Sequence, residues 1–130
     1  MGENRIKLVA ADMDGTLLNR ERKITKYTQN VIKKAMAQGV YFVPATGRAV
    51  NALPPELKEM EGIRYGIFSN GATIYDLKEE KVIYKNHFEM DRVLELMDFL
   101  KQFDLMESIS LNGQSYACLL YTSPSPRDRG

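Results

Sequence analysis

"LVAADMDGTLLN", residues 8–19, begins as an apolar run and ends in two aspartates one residue apart, Asp12 and Asp14, with Gly15 and Thr16 directly behind them. A carboxylate at the end of a buried strand loses hydration, and two so close repel one another. A divalent cation together with a phosphate-bearing ligand would offset both costs. Residues 6–13 are short and mostly apolar and read as a strand buried on both faces, as in parallel sheets. The carboxyl end of such a strand is where open α/β sheets bind ligands. In an extended stretch residues i and i+2 point to the same side, so both carboxylates can face one ligand. Gly15 lets the backbone turn sharply away, and Thr16 can satisfy amides in that turn. Asp-rich turns also occur with no chemistry attached, but D-x-D-G-T placed directly after an apolar strand is a rare combination.

Outward from this motif the chain alternates strand and helix. Thr25 suits an N-cap for "KYTQNVIKKAMAQ" (26–38), where Tyr27, Val31 and Ala35, with Ile32 and Met36 beside them, repeat at helical spacing. Gly39 is the residue expected beyond a helix C-terminus. "VYFVPAT" (40–46) is rich in β-branched and aromatic residues and predicts a second strand. Residues 49–61 suit a helix that Pro54 and Pro55 must split. "YGIFS" (65–69) predicts a third strand. This succession is the signature of an α/β doubly wound domain with right-handed crossovers.

The pattern then changes. "ATIYD" (72–76) and "KVIYK" (81–85) alternate around "LKEE" and read as an antiparallel hairpin. "MDRVLELMDFLKQF" (90–103) sets Val93, Leu96, Met97, Leu100 and Phe103 on one helical face, with Asp91 as its cap. "ESISL" and "QSYA" flank Asn112-Gly113, a strong type I′ hairpin signal. A second α+β unit therefore begins near residue 86.

Composition bounds the partners. Eighteen Lys+Arg stand against seventeen Asp+Glu, a net charge of +1, so the chain carries no electrostatic footprint for nucleic acid. No apolar run approaches a membrane span, and "MGENRIK" lacks the apolar core of a signal peptide. The one cysteine cannot form an internal disulfide, and a cytoplasmic setting is expected. Met60, Met90, Met97 and Met106 read as packing residues, and His87, the single histidine, as a surface residue. "CLLYTSPSPRDRG" (118–130) changes character abruptly, and Cys118 to Asp128 resembles the translation of a sequencing-library adapter. It is set aside from the fold reasoning as a non-native tail, so legible sequence stops near Ala117.

The motifs now carry a resemblance. "DMDGTLL" (12–18) resembles the first motif of the haloacid dehalogenase-like (HAD) superfamily of phosphohydrolases. "PATGR" (44–48) is similar to that family's second motif, whose Thr or Ser hydroxyl holds the transferring phosphoryl group. "SNGATIYD" (69–76) is similar to the Cof-type, class IIB branch, in which a small α+β cap is inserted after the third strand. Taken alone, Thr46 also suits a helix N-cap, Asn70-Gly71 a plain turn, and Arg48 a helix surface.

The resemblance covers residues 6–117 and implies an α/β fold: the N-terminal part of a HAD Rossmann-like doubly wound parallel sheet over 1–85, and the start of the inserted α+β cap over 86–117. It implies Asp12 as nucleophile and Asp14 as general acid and base. Met13, Thr46, Gly47, Arg48 and Asn70 would bind phosphate or substrate, Met13 and Asp14 through backbone amides. Mg²⁺ is the implied cofactor, held by the Asp12 side chain and the Asp14 backbone carbonyl. The implied activity is phosphohydrolysis of a small phosphate ester, such as a sugar phosphate, through an aspartyl-phosphate. A phosphotransferase or phosphomutase on the same scaffold is the near alternative, and a non-catalytic phosphate-binding module the distant one. A glycosyltransferase using Asp-x-Asp for its metal would predict neither Gly-Thr after the aspartates nor "ATGR" after the next strand. The family's third motif, a Lys, and its fourth, an acidic loop, would lie beyond residue 117. The 130-residue chain is therefore expected to have negligible phosphatase activity, weak Mg²⁺ affinity and poor stability.

Overall fold

A computed structural model describes residues 5–118 of the chain. The expectation of a non-native tail concerns residues 118–130, and 119–130 lie outside the described residues. Apolar strands separated by an amphipathic helix build β1 (Leu8–Asp12), α1 (Lys26–Ala37), β2 (Tyr41–Ala45) and β3 (Tyr65–Phe68). Thr25 caps α1, its hydroxyl accepting the Thr28 N–H at 3.2 Å, and Gly39 follows the helix in the left-handed region. Between β2 and β3 the proline pair acts as expected: a 3-10 turn at Val50–Ala52 ends before it, and the short helix α2 (Pro55–Lys58) starts on it.

β1, β2 and β3 are parallel, with Leu8 opposite Tyr41, Asp12 opposite Ala45 and Ala45 opposite Ile67. The next hairpin, β4 (Thr73–Asp76) and β5 (Lys81–Lys85), continues the same sheet antiparallel, giving the order β1-β2-β3-β4-β5. The sheet is thus mixed, with the Rossmann-like parallel half at its N-terminal end. After it come α3 (Met90–Leu100) and a separate two-stranded hairpin, β6 (Glu107–Leu111) and β7 (Gln114–Cys118). Asn112 and Gly113 between them both adopt positive φ, 49° and 79°, which a type I′ turn requires.

The core is one apolar cluster. Ile32 of α1, Phe42 of β2, Leu53, Leu57 of α2, Met60, Ile63 and Phe68 of β3 pack with Met13, Leu18 and Ile24. Met13 and Phe68 are fully buried. Burying a side chain of this size contributes about 1.5–3 kcal/mol.

Several expectations are corrected. β1 is not buried on both faces: among the described residues it is an edge strand with one hydrogen-bonded neighbour, and Leu8 is 54% exposed. A parallel strand is buried twice only when elements cover both faces of its sheet, and among the described residues only Ala11 of β1 packs against the core cluster. On α1, Ile32 and Met36 reach the core, while Tyr27 and Val31, one step around the helix, stay exposed. α3 ends at Leu100, is capped at Glu89 with Asp91 in its first turn, and buries none of its residues; Leu96 and Phe103 are exposed. Met60 packs in the core as read, but Met90 and Met106 are exposed. Amphipathic spacing shows which side of a helix is apolar, not whether a partner meets it.

Candidate functional site

The parallel register brings three chain segments to one edge of the sheet. Asp12 closes β1, its register partner Ala45 precedes Thr46, and Asn70 lies two residues beyond the end of β3. Backbone bonds lock the three ends together: the Thr46 N–H donates to the Ile67 carbonyl at 2.9 Å, the Asn70 N–H to the Thr46 carbonyl at 3.1 Å, and the Ser69 N–H to the Arg48 carbonyl at 3.0 Å. Thr46 is buried, and its hydroxyl accepts the Arg48 N–H at 3.0 Å, so it caps the turn that follows β2. A Cβ on Gly47 would stand 2.8 Å from Asn70 Oδ1, so a side chain there would displace the Asn70 amide. Asn70 sits at φ 56°, a conformation Asn tolerates better than most residues.

The aspartate pair is arranged differently from an extended strand. The strand ends at Asp12, and Met13–Leu17 form a tight turn closed by the Leu18 N–H on the Met13 carbonyl at 2.9 Å, with Gly15 at φ 76°. Met13 turns inward, while Asp12 stays exposed. One Asp12 oxygen, Oδ1, accepts the Met13 N–H at 2.8 Å, so that amide, expected to face a phosphoryl oxygen, is taken by the carboxylate before it. Thr16 makes no side-chain hydrogen bond among the described residues, and the amide-satisfying role expected of it is not seen.

Asp14 is engaged by Arg48. The guanidinium grips it through two bonds, Nε to Oδ2 at 3.0 Å and Nη2 to Oδ1 at 2.6 Å, while Nη1 donates to the Ala52 carbonyl at 3.3 Å. This planar fork is the geometry in which Arg binds carboxylates best. The Arg48 hydrogen bonds hold the Asp14 carboxyl below the usual carboxylate range; desolvation opposes the shift, and the charges of Arg48 and Arg22 add to it. Arg48 is therefore paired with a carboxylate 34 positions away rather than lying unengaged on a helix surface.

Arg22 was not picked out from the sequence. It lies at φ 60° in a turn where Asn19 Oδ1 accepts the N–H groups of Glu21 and Lys23. An Asn heading a charged five-residue segment was the available signal for that turn. His87 is exposed, as read, yet it also lines a cavity of about 280 Å³ with Ser69, Lys85, Ser110 and Asn112.

Among the described residues no three His, Cys, Asp or Glu side chains gather as a metal site. The donors at the β1 end are nevertheless hard oxygens: the Asp12 carboxylate, with its second oxygen outside the Met13 bond, and the Asp14 backbone carbonyl. Such donors suit Mg²⁺, which is commonly held by one or two protein oxygens and completed by water and phosphate.

The sequence profile of the haloacid dehalogenase-like hydrolases matches residues 9–124. The chain belongs to that family. Among its relatives are a protein of Buchnera aphidicola subsp. Schizaphis graminum provisionally called a phosphatase, 39% identical over 85% of this chain, and the 5-amino-6-(5-phospho-D-ribitylamino)uracil phosphatase of Bacillus subtilis, 37% identical over 65%. A solved sugar phosphatase of HAD subclass IIB superposes with a TM-score of 0.71 at 29% identity over 86% of the chain. The chain spans only part of each: 40%, 36% and 44% of their lengths. Within the haloacid dehalogenase-like fold the matched region contains the whole strand-end cluster described above.

Proposed function

We propose that this chain carries the nucleophile half of a Cof-type phosphohydrolase active site, acting on small phosphorylated metabolites such as sugar phosphates. The observation that carries the reading is the convergence of Asp12, Thr46 and Asn70 at three adjacent strand ends, with Asp14 held beside them by Arg48. An Asp12 oxygen attacks phosphorus, the bond from phosphorus to the leaving oxygen breaks, and an aspartyl-phosphate forms. Asp14 gives its proton to the departing alkoxide, then takes one from the water that attacks the same phosphorus, which releases phosphate and frees Asp12. Gripped by Arg48, Asp14 is ionised and set up as the base. To act as the acid it must take up a proton as Arg48 turns onto a substrate oxygen.

The Thr46 hydroxyl and the amides of Met13 and Asp14 bind phosphoryl oxygens once Asp12 releases the Met13 N–H. Gly47 allows close approach, and Asn70 faces the same space. Mg²⁺, when bound, neutralises charge between carboxylate and phosphate. The other reactants are small molecules, and a cytoplasmic setting accords with the near-neutral charge and with the lack, among the described residues, of any helix long and apolar enough to cross a membrane.

The test uses a full-length protein containing this segment, supplied with Mg²⁺ and a panel of monoesters. Acid quenching is expected to trap a base-labile acyl-phosphate on Asp12, and Asp12→Asn to lower kcat by at least about a thousandfold. Turnover without an acyl-phosphate would overturn the proposal. The 130-residue chain alone is expected to show no turnover above its own Asp12→Asn control.

A further inference from the structure

The segment that holds Asp14 is itself held from the other side. Arg48 and Ala52 bracket the 3-10 turn Val50–Ala52, and the tip of the β6–β7 hairpin docks onto that turn. The Val50 N–H donates to the Gly113 carbonyl at 2.6 Å, and the Ser115 N–H to Asn51 Oδ1 at 3.4 Å. One residue beyond β3, the Ser69 hydroxyl meets that of Ser110 at 3.0 Å, and the Ser69 N–H is already bonded to the Arg48 carbonyl. The fit at the tip is close. Gly113 is buried, and a Cβ on it would stand 2.8 Å from Val50 Cγ2. The turn that carries Arg48 is thus clamped between the end of β3 and a hairpin more than sixty residues away in sequence, which bonds to Asn51 across a separation of 64.

We propose that the β6–β7 tip is a positioning element for Asp14, acting through residues 48–52: docked, it holds Arg48 in the arrangement that grips the Asp14 carboxylate. Among the described residues Val50, Asn51, Ser69, Ser110 and Gly113 hydrogen-bond to neither aspartate, and their effect passes through the Arg48 backbone and the Ala52 carbonyl. When the tip lifts, the 3-10 turn loses its partner, the Ala52 carbonyl is free to move, and Arg48 can exchange Asp14 for another anion. The inference rests on reading Asp14 as the proton-transferring group, but its test reads only geometry, so its failure and that of the proposed chemistry are distinguishable.

The experiment follows hydrogen exchange in the full 130-residue chain labelled with ¹⁵N. The Nε–H of Arg48 reports its bond to Asp14, and the Val50 N–H reports docking. The Nε–H of Arg64, bonded to Asp76 at 3.1 Å, is the internal control. Gly113→Ala places a methyl group against Val50 and strains a positive-φ position. It is expected to speed exchange at both Val50 and Arg48 about tenfold by local opening and to leave Arg64 unchanged. Ser110→Ala, a milder change, should speed both about threefold, a loss of the size expected for one exposed hydrogen bond. Faster exchange at Val50 with Arg48 unchanged would overturn the proposal. So would a Val50 amide that neither variant moves. Should Gly113→Ala also release Arg64, the fold itself has loosened, and Ser110→Ala decides by the same criterion.

Discussion

Asp14 and Arg48 are 34 positions apart in sequence, yet their side chains form the most specific polar contact of the site. Both are partly exposed, so water screens the pair, and its value lies in orientation more than in stability. Removing the guanidinium should therefore be seen first in titration. In Arg48→Met the Asp14 carboxyl is expected to rise back into the ordinary carboxylate range, and ¹³C-detected NMR titration of Asp14 would show it. Arg48→Lys should restore only part of the shift, because an ammonium group cannot offer two parallel donors. The sign is fixed by linkage: a native pKa below the unfolded one adds stability above the unfolded value, and this is lost as pH falls through the lowered native value. An Asp14 carboxyl still held below the ordinary range in Arg48→Met would mean that Arg22 or the turn itself sets its ionisation.

The β4–β5 hairpin depends on one buried carboxylate. Asp76, 2% exposed, accepts the N–H groups of Glu79 at 2.9 Å and Lys78 at 3.0 Å, and Arg64 Nε at 3.1 Å. The Glu79 N–H is the chief cause that draws its pKa down; burial opposes the shift, and Arg64 and the Lys78 N–H reinforce it. Asp76 therefore favours the folded hairpin above the ordinary carboxylate range, and that contribution is lost as pH falls through its lower native value. Urea midpoints measured from pH 6 to pH 2 should drop at the acid end in the parent chain and vary less with pH in Asp76→Asn, whose midpoint is lower near pH 6 and approaches the parent's at the acid end. Equal pH dependence in the two proteins would place the acid sensitivity elsewhere. α3 shows the opposite situation. Its apolar positions recur at helical spacing, but Leu94, Leu96 and Phe99 remain exposed, with Phe103 beyond its end stacked edge-on against Phe99 at 5.6 Å.

For the whole chain, one well-packed cluster coexists with open apolar surface. Met13, Leu57 and Phe68 are sealed, whereas Leu8 and Tyr41, opposite one another in the register, and Tyr27, 79% exposed, face outward. Open surface of this kind, next to a β1 edge that no described strand pairs, favours association. Sedimentation of the 130-residue chain is expected to give a weight-average mass that rises with concentration. Val9→Lys on the edge strand should reduce that rise, since a charge there discourages strand pairing. A strictly monomeric parent chain with a sharp thermal transition would count against this view.

Local signals carried much of the result. The strand before Asp12, the Thr25 cap, the proline break at 54–55 and the Asn112-Gly113 turn each depend on residues adjacent in sequence, and each is found where local chemistry puts it. The meeting of the candidate residues Asp12, Thr46, Gly47 and Asn70 at adjacent strand ends was legible for the same reason: strand-end motifs reveal their place once the strands are known to be parallel neighbours. What tertiary structure alone decided is which faces are covered and which side chains meet. The exposure of β1, the unmet face of α3, the Arg48 grip on Asp14 and the docking of Gly113 on Val50 all join residues far apart in the chain or depend on neighbours that no periodicity contains. Periodicity encodes the conformation and apolar side of a segment, whereas contact energy depends on what the folded chain brings opposite it.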